Sequence, residues 1–301
     1  MFIYVFFTLF LLLLILPATA SISSVVEVPK GRPAYANRTF HSEAVDAYLE
    51  KISAEFQDPS LATLFSNTLP NTLDTTVYDP DTGYIITGDV AAMWLRDACN
   101  QVQPYLPFLS LDSALDTLMV NIVNRMASSV LLNPFANAFN PNSSLPGEHA
   151  DDNTTPPMTN AVFENKYELD SLAAFLKLSR GVYANSPTLF RNTSSSLSSS
   201  SSYANWLDAV NLTTTTIRNQ QMSTAEEMAA AGQVYTFQRF TEVATDTLMQ
   251  SKYHTNYRNQ PHLPNDDLFA TNSAMFFDLS TRWQRRSSRS HGDVEEFVPG
   301  I

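Results

Sequence analysis

Cysteine is nearly absent from this sequence, since Cys99 is the only one in 301 residues. An intrachain disulfide is therefore impossible, and the fold has to be held by packing. A nucleophilic cysteine needs a nearby histidine or another cation to lower its pKa, and no histidine lies close to Cys99 in the sequence. The apolar context around Cys99 instead predicts a buried packing role.

Glycine and basic residues are also scarce. Only 8 glycines occur, and the sequence has neither a glycine-rich phosphate loop nor a repeat period, which argues against nucleotide binding. Lys and Arg total 18 against 30 Asp and Glu, which gives a formal net charge of -12. Binding to nucleic acid therefore has no electrostatic support, and we predict no nucleic-acid partner.

The usual signatures of metal enzymes and serine hydrolases are missing as well. The histidines are scattered without H-E-x-x-H or Cys/His spacing, and no G-x-S-x-G occurs. His149, Asp151 and Asp152 could together hold a divalent ion, but a cluster that binds sugar hydroxyls uses the same groups. We predict no metal and no cofactor. Glycoside hydrolysis by two carboxyl groups needs neither and suits an acidic, aromatic-rich chain.

The first twenty residues have the pattern of a secretory signal. They are apolar from Phe2 to Leu16, break at Pro17 and end in the small residues Ala18–Ala20. This predicts a signal peptide at residues 1–20, cleaved before Ser21. The run is short for a membrane span, which needs about 20 residues, so no stable span is expected after cleavage. A retained anchor in the secretory pathway is the alternative, because no Lys or Arg precedes the run.

Five glycosylation sequons agree with entry into the secretory pathway, and they lie at Asn37, Asn142, Asn153, Asn192 and Asn211. The predicted location is the secretory pathway, the cell exterior or the cell wall. A membrane-anchored form within that pathway remains the alternative.

Helical periodicity dominates the chain after the signal. The apolar stripe between Ser42 and Phe56 predicts one helix, and Asp58 with Pro59 predicts the cap and first residue of another. Further helices are predicted from near Val90 to just before Pro104, and at 112–132, 163–183 and about 206–217. A turn at 79–83 followed by 84–86 predicts one short extended piece. The serine-rich run at about 193–203 predicts a solvated surface loop.

Helices joined by long polar loops predict an all-α bundle or toroid, in which the loops at one rim carry the function. The first candidate segment reads TGDVAAMWLRDACNQ. An aromatic plane beside acids, a guanidinium and an amide suits a sugar ring. The groups in question are Asp89, Trp94, Arg96, Asp97 and Gln101. The alternative is a helix start with Trp94 in the core and an ordinary Arg96–Asp97 surface pair.

A second segment, GEHADDNTTPPMTNAVFENKYELDS, is equally rich in polar groups. Its candidates are His149, Asp151, Asp152, Glu164, Lys166, Tyr167, Glu168 and Asp170. On a helix, the spacing of Glu164, Tyr167, Glu168 and Ser171 would place them on one face, which either lines a wet pocket or points to solvent. A third segment, YTFQRFTEVATDTL, offers Arg239, Glu242 and Asp246, for which ordinary solvated charge is the strong alternative.

Together these segments resemble glycoside hydrolase family 125, in the fungal branch related to meiotically up-regulated gene 157 proteins. The resemblance rests on TGDVAAMWLRDACNQVQPYLPF, NRMASSVLLNPFANAFNP, EHADDNTTPPMTNAVFENKYELDSLAAFLKLSRGVY and YTFQRFTEVATDTL, between about 84 and 248. It implies an (α/α)6 barrel that removes terminal α-1,6-linked mannose with inversion and without a metal. The α-mannoside glycan is the implied partner, and the candidate side chains of the first two segments would bind the hydroxyls of its terminal sugar.

The sequence departs from the family pattern in its last third. The family places its general acid in a segment of the type F-R-P-S-D-D, whereas this chain reads NQPHLPNDDLFATNSAM. Asp266 or Asp267 is carried over as the general-acid candidate, and the alternative is a solvated loop whose acids cap a helix. The segment that would bring the general base is not present, so residues 21–301 are expected to form the N-terminal part of a single catalytic domain.

We therefore expect an incomplete barrel and a chain that is inactive by itself. The sequence alone leaves two alternatives open. One is a non-catalytic protein that binds mannose or mannan, and the other is a gene-model fragment without function. The sequence does not indicate an oligomeric state.

Overall fold

A computed structural model describes residues 28–142, 144, 152–187, 201–222, 224–233, 235–240 and 253–255. The described part is mostly helical, as predicted. Its α-helices are α1 Glu43–Ser53, α2 Pro59–Thr68, α3 Asn71–Thr75, α4 Leu95–Val102, α5 Ser113–Leu132, α6 Leu169–Asn185, α7 Ser201–Gln220 and α8 Thr224–Ala231. Short 3₁₀ helices lie at Tyr35–Asn37 and Gln103–Phe108.

Strands also occur, in three small sheets, although only one short extended piece was predicted. They are β1 Val77–Asp79, β2 Tyr84–Ile85, β3 Met93–Trp94, β4 Ala138–Phe139, β5 Asn153–Thr155, β6 Val162–Glu164, β7 Thr236–Phe240 and β8 Tyr253–Thr255. The sheets have the orders β1-β2, β3-β4-β6 and β5-β7-β8, and every pairing is antiparallel.

The helix cap predicted at Asp58 is present, and a second cap lies at Asp112, where the sequence predicted the start of a helix. Asp58 precedes Pro59, the first residue of α2, and its carboxylate accepts a hydrogen bond from the Ser60 amide. Asp112 caps α5 by accepting from the amides of Ala114 and Leu115. These bonds satisfy amides that have no partner within the helix, and they fix where each helix begins.

Two predicted helix starts were wrong. The helix predicted from near Val90 begins at Leu95, and the helix predicted from Phe163 begins at Leu169. The residues in front of each helix form β3 and β6, which both pair with β4. Because the interstrand hydrogen bonds hold this backbone extended, Glu164 and Tyr167 do not share a helix face with Glu168 and Ser171.

The β3-β4-β6 sheet sets the position of two helices. α4 follows β3 directly, α6 follows β6 after four residues, and the two helices pack against each other. The Leu95 amide donates to the Asn137 carbonyl, and the Asn137 amide donates to the Glu164 carbonyl. The first turns of α4 and α6 therefore lie side by side at one edge of this sheet.

The core is centred on α5, which packs on both α6 and α7. Ten residues of α5 are buried, including Leu115, Ile122 and Met126. The β1-β2 turn approaches this helix at Gly83, where an added Cβ would lie 2.2 Å from the Asn121 carbonyl carbon. Gly83 also has a φ of +67°, so both contact and conformation require glycine. Among the helices that the structure describes, none is long and apolar enough to cross a bilayer.

Candidate functional site

An apolar wall stands at the edge of the β3-β4-β6 sheet. Trp94, the last residue of β3, meets Phe163 of β6 edge to face, with ring centroids 5.2 Å apart. Val90 and Trp94 pack against a small buried cluster of Ala92, Ala138 and Phe163, separate from the main core. Trp94 remains partly exposed. An aromatic side chain with one accessible face is suited to stack against a sugar ring.

A charged group lies directly after this wall, and we name Arg96, Asp97, Glu168 and Asp170 the Arg96 cluster. Arg96 Nη2 lies 3.2 Å from Asp97 Oδ2. Arg96 Nη1 lies 3.1 Å from Asp170 Oδ2 and 3.4 Å from Glu168 Oε2. One guanidinium from α4 therefore joins its own helix to the residue before α6 and to the first turn of α6.

The electrostatics of the cluster are unbalanced, because three carboxyl groups face one guanidinium. Burial and the charge of Asp170 raise the pKa of Glu168 to about 7, although Arg96 acts in the opposite direction. Burial likewise raises the pKa of Asp170. The site thus holds three carboxyl groups around one guanidinium, and the pKa of one of them lies near neutral pH.

Asn137 was missed by sequence reasoning, yet it connects the two sides of the site. Its side chain is buried, donates to Glu164 Oε2 at 2.5 Å and accepts from the Lys166 amide at 3.4 Å. Its backbone pairs with Leu95 and Glu164, as described above. The available signal was the stretch NPFANAFN, which sets three asparagines among apolar residues, and the structure buries all three side chains.

A second layer behind the site was also missed. Asn133 Nδ2 donates to Asn165 Oδ1 at 3.1 Å, and Asn165 Nδ2 donates to Thr154 Oγ1 and to the Pro156 carbonyl, both at 2.9 Å. These bonds satisfy buried amides and fix the loop between β6 and α6. The loop carries Lys166, whose side chain is fully buried, and the charge of Lys166 acts to lower the pKa of Glu168.

This arrangement of aromatic wall, charged cluster and asparagine support can be compared with known proteins. A family profile described as metal-independent alpha-mannosidase (GH125) matches residues 58–262. The chain belongs to glycoside hydrolase family 125.

Two relatives of this GH125 chain give the scale of the similarity. The meiotically up-regulated gene 157 protein of Schizosaccharomyces pombe is 34% identical over 306 residues, covering 92% of this chain and 57% of that protein. A solved metal-independent alpha mannosidase of Streptococcus pneumoniae, in a non-productive complex with alpha-1,6-mannobiose, matches with a TM-score of 0.55 and 26% identity. That match covers 71% of this chain and 46% of the other. The chain spans about half the length of these relatives. The structural match is consistent with an α/α-barrel family.

The remaining candidate residues of this GH125 chain fall into three groups. Gln101 lies on α4 beside the wall, where its Nε2 donates to the Thr87 carbonyl at 3.2 Å. Its Oε1 is buried and accepts no hydrogen bond from the part of the chain that the structure describes. Asp89 is exposed in the loop before β3, and Asp152 is buried just before β5. His149, Asp151, Asp266 and Asp267 lie outside the described residues, as do Glu242 and Asp246.

Metal-binding groups and the single cysteine can be located within the described residues. Within the described ranges, no three His, Cys, Asp or Glu side chains are placed to hold a metal ion. Cys99 is buried, as predicted, and burial raises the pKa of its thiol. A thiol with a raised pKa is a poor nucleophile, so packing is the role of Cys99.

Proposed function

We propose that the Arg96 cluster and the Trp94 wall bind the terminal mannose of an α-1,6-linked glycan. We further propose that this site serves an inverting exo-α-1,6-mannosidase activity in the intact gene product, whereas this chain by itself binds the sugar without turnover. The observation that carries this proposal is the single guanidinium of Arg96 among Asp97, Glu168 and Asp170, beside a partly exposed tryptophan. The related Streptococcus protein was solved with alpha-1,6-mannobiose, which supports the choice of sugar and linkage.

The chemistry of the cluster suits sugar hydroxyls. Each hydroxyl both donates and accepts, so it can bridge the Arg96 guanidinium and one of the carboxylates. A hydrogen bond to a charged group contributes about 1.5 to 3 kcal/mol. Trp94 would cover the apolar face of the ring. Asp89 and Gln101, with Asp152, Glu164, Lys166 and Tyr167, are proposed to complete the sugar-binding set, together with His149 and Asp151.

Hydrolysis with inversion requires a general acid and a general base, separated by about 6.5 to 9.5 Å so that a water molecule fits between sugar and base. Asp266 and Asp267 remain the proposed candidates for the acid. The incomplete barrel, the signal peptide at residues 1–20 and the secretory location also stay predictions. The expectation that this chain binds without turnover is tested by measuring released mannose in the samples that are used for binding.

Two arginine variants test the proposal. Arg96→Ala removes the cluster's cation, whereas Arg32→Ala removes another arginine that is also 21% exposed and paired with carboxylates, but lies near α1 and α3. Titration calorimetry with α-1,6-mannobiose should show about 10- to 100-fold weaker binding for Arg96→Ala and unchanged binding for Arg32→Ala.

Two results would contradict the proposal. The first is an unchanged affinity in Arg96→Ala, and the second is no binding of mannobiose by the unaltered protein. Release of mannose, followed by chromatography in the same samples, shows whether binding is accompanied by hydrolysis.

A further inference from the structure

Tyr235 is a buried residue that neither the sugar-binding set nor the family resemblance assigns a role. It lies between α8 and β7, far along the chain from the site. Only 1% of Tyr235 is exposed, and its ring stacks on Phe135 with centroids 4.8 Å apart and planes 10° from parallel. Packing of this kind fixes both the ring and the direction of its hydroxyl.

The hydroxyl of Tyr235 makes two hydrogen bonds to one short stretch of backbone. It donates to the Asn165 carbonyl at 3.0 Å and accepts from the Tyr167 amide at 2.9 Å. These two residues flank Lys166, and Glu168 follows Tyr167 directly. One phenol therefore holds the backbone on both sides of a fully buried lysine.

We propose that Tyr235 is a positioning residue of the sugar site, whose hydroxyl fixes the backbone of residues 165–167 and so holds Glu168 beside Arg96. The expected effect of Tyr235 on sugar binding rests on the proposed function. The structural part of the proposal concerns only where Glu168 lies, and that part can be measured without a ligand.

Burial and the surrounding charges keep this phenol protonated, as the two hydrogen bonds require. Burial raises the pKa of Tyr235, and the charges of Glu164, Asp152 and Glu168 act in the same direction. The hydroxyl thus keeps its proton and can donate to Asn165 while it accepts from Tyr167.

Charged side chains act on Glu168 from three places, and their distances from Glu168 change if the loop moves. Arg96 comes from α4, Asp170 from α6, and Glu164 and Lys166 from its own segment. The protonation of Glu168 therefore reports the position of the loop.

A matched pair of variants tests the proposal. Tyr235→Phe removes the two hydrogen bonds, and Tyr105→Phe removes the bond from an equally buried phenol to the Leu69 carbonyl, away from the site. The titration of Glu168 is followed by carbon-13 NMR of the glutamate carboxyl groups, with its signal assigned through Glu168→Gln. The unaltered protein, both tyrosine variants and Glu168→Gln are measured without ligand and then with α-1,6-mannobiose.

In Tyr235→Phe the midpoint of Glu168 should shift by about half a pH unit or more, downward because a loosened loop admits water to a group whose pKa is raised mainly by burial. Mannobiose should bind about tenfold more weakly. Tyr105→Phe should leave both quantities unchanged. An unchanged Glu168 midpoint in Tyr235→Phe overturns the proposal, whatever happens to stability.

A measurement on the unaltered protein covers the case in which Tyr235→Phe does not fold. The Tyr167 amide should exchange with deuterium as slowly as the Leu95 amide, because its acceptor is a buried phenol. Fast exchange of the Tyr167 amide, with slow exchange of the Leu95 amide, overturns the proposal. A shifted Glu168 midpoint with no mannobiose binding in any sample would instead keep the positioning role and refute the proposed function.

Discussion

Two clusters of arginine and carboxylate residues in this protein have similar composition but different charge balance. In the N-terminal cluster, Arg32 and Arg38 face Asp46 and Asp74, so two cations meet two anions. Arg32 binds Asp74 with two hydrogen bonds, from Nε at 2.7 Å and from Nη2 at 3.1 Å. In the Arg96 cluster, one cation meets three carboxyl groups at 3.1 to 3.4 Å.

The difference is that between a structural ion-pair network and, under the proposed function, a site that binds a ligand. The N-terminal cluster ties the segment before α1 to α1 and α3, and its charges cancel within the protein. The Arg96 cluster has an excess of negative charge and one carboxyl with a pKa of about 7. A group of this kind is costly to keep in a folded protein, and such groups concentrate at functional sites.

Asp74→Ala should have the largest effect on stability. The Asp74 side chain is only 2% exposed, and its loss leaves Arg32 and Arg38 without their buried partner. We expect the free energy of unfolding to fall by about 3 kcal/mol, while mannobiose binding by the folded protein is unchanged. Urea unfolding measures the loss.

Asp46→Ala is the control for Asp74→Ala, because Asp46 pairs with the same arginines but its side chain is 33% exposed. Its loss should be about 1 kcal/mol. Equal losses of unfolding free energy in the two variants would show that the greater burial of Asp74 does not make its ion pairs more stabilising than those of Asp46. A loss of mannobiose binding in Asp74→Ala would remove the contrast between the clusters.

Glu168→Gln should change how stability depends on pH. The folded-state pKa of about 7 exceeds the ordinary value of 4.5, so the folded protein binds the Glu168 proton more tightly than the unfolded chain. This contribution to stability is fully present below about pH 4.5 and is lost as pH rises through 7. Between pH 5 and 8 the unaltered protein should lose roughly 2 kcal/mol relative to Glu168→Gln.

Urea unfolding at several pH values gives the difference between the two proteins. The exposed Glu50→Gln serves as the control and should follow the unaltered protein at every pH. Parallel curves for Glu168→Gln and the unaltered protein would mean that Glu168 is an ordinary carboxylate, and that the two clusters do not differ in protonation.

The sequence predicted features that depend on local interactions, and it did not predict features that depend on contacts between distant residues. The caps at Asp58 and Asp112 were predictable because a side chain bonds to an amide two or three residues away. The composition of the Arg96 cluster was predictable as well, since Arg96 and Asp97 stand in one compact motif and Glu168 and Asp170 in another. Local sequence carries both kinds of information.

The strands β3 and β6 were not predictable in the same way. Each has two or three residues, too few for alternation to show, and each depends on pairing with β4 some tens of residues away. The burial of Asn137 and the partners of Tyr235 are likewise nonlocal. For this reason sequence reasoning placed Glu164 on a helix and missed the groups that hold the loop.

Asn137→Ala should have an intermediate effect on stability, and it tests whether Asn137 belongs to the sugar site. It removes the donor to Glu164 and the acceptor for the Lys166 amide, both in buried surroundings. We expect a loss of about 2 kcal/mol in the free energy of unfolding and roughly tenfold weaker mannobiose binding. Thermal unfolding and calorimetry provide the two measurements.

Asn140→Ala is the matched control for Asn137→Ala. Asn140 lies three residues further along, is also buried, and donates to the backbone carbonyls of Asn160 and Val162. A similar loss of stability with normal binding is expected. If both variants bind mannobiose equally well, Asn137 supports the fold and has no special relation to the site.

Asp97→Asn should have the smallest effect on stability. Its effect on mannobiose binding should nevertheless distinguish the Arg96 cluster from the N-terminal cluster. The Asp97 side chain is 36% exposed, so its pair with Arg96 should contribute less than about 0.5 kcal/mol to the free energy of unfolding. Asp46→Asn is the matched control, since the Asp46 side chain is 33% exposed and also pairs with arginine. Mannobiose should bind several-fold more weakly to Asp97→Asn alone, because a carboxylate accepts from a sugar hydroxyl more strongly than an amide does. Equal affinity in both variants would show that Asp97 forms an ordinary surface ion pair and leave Glu168 and Asp170 as the acceptors of the Arg96 cluster.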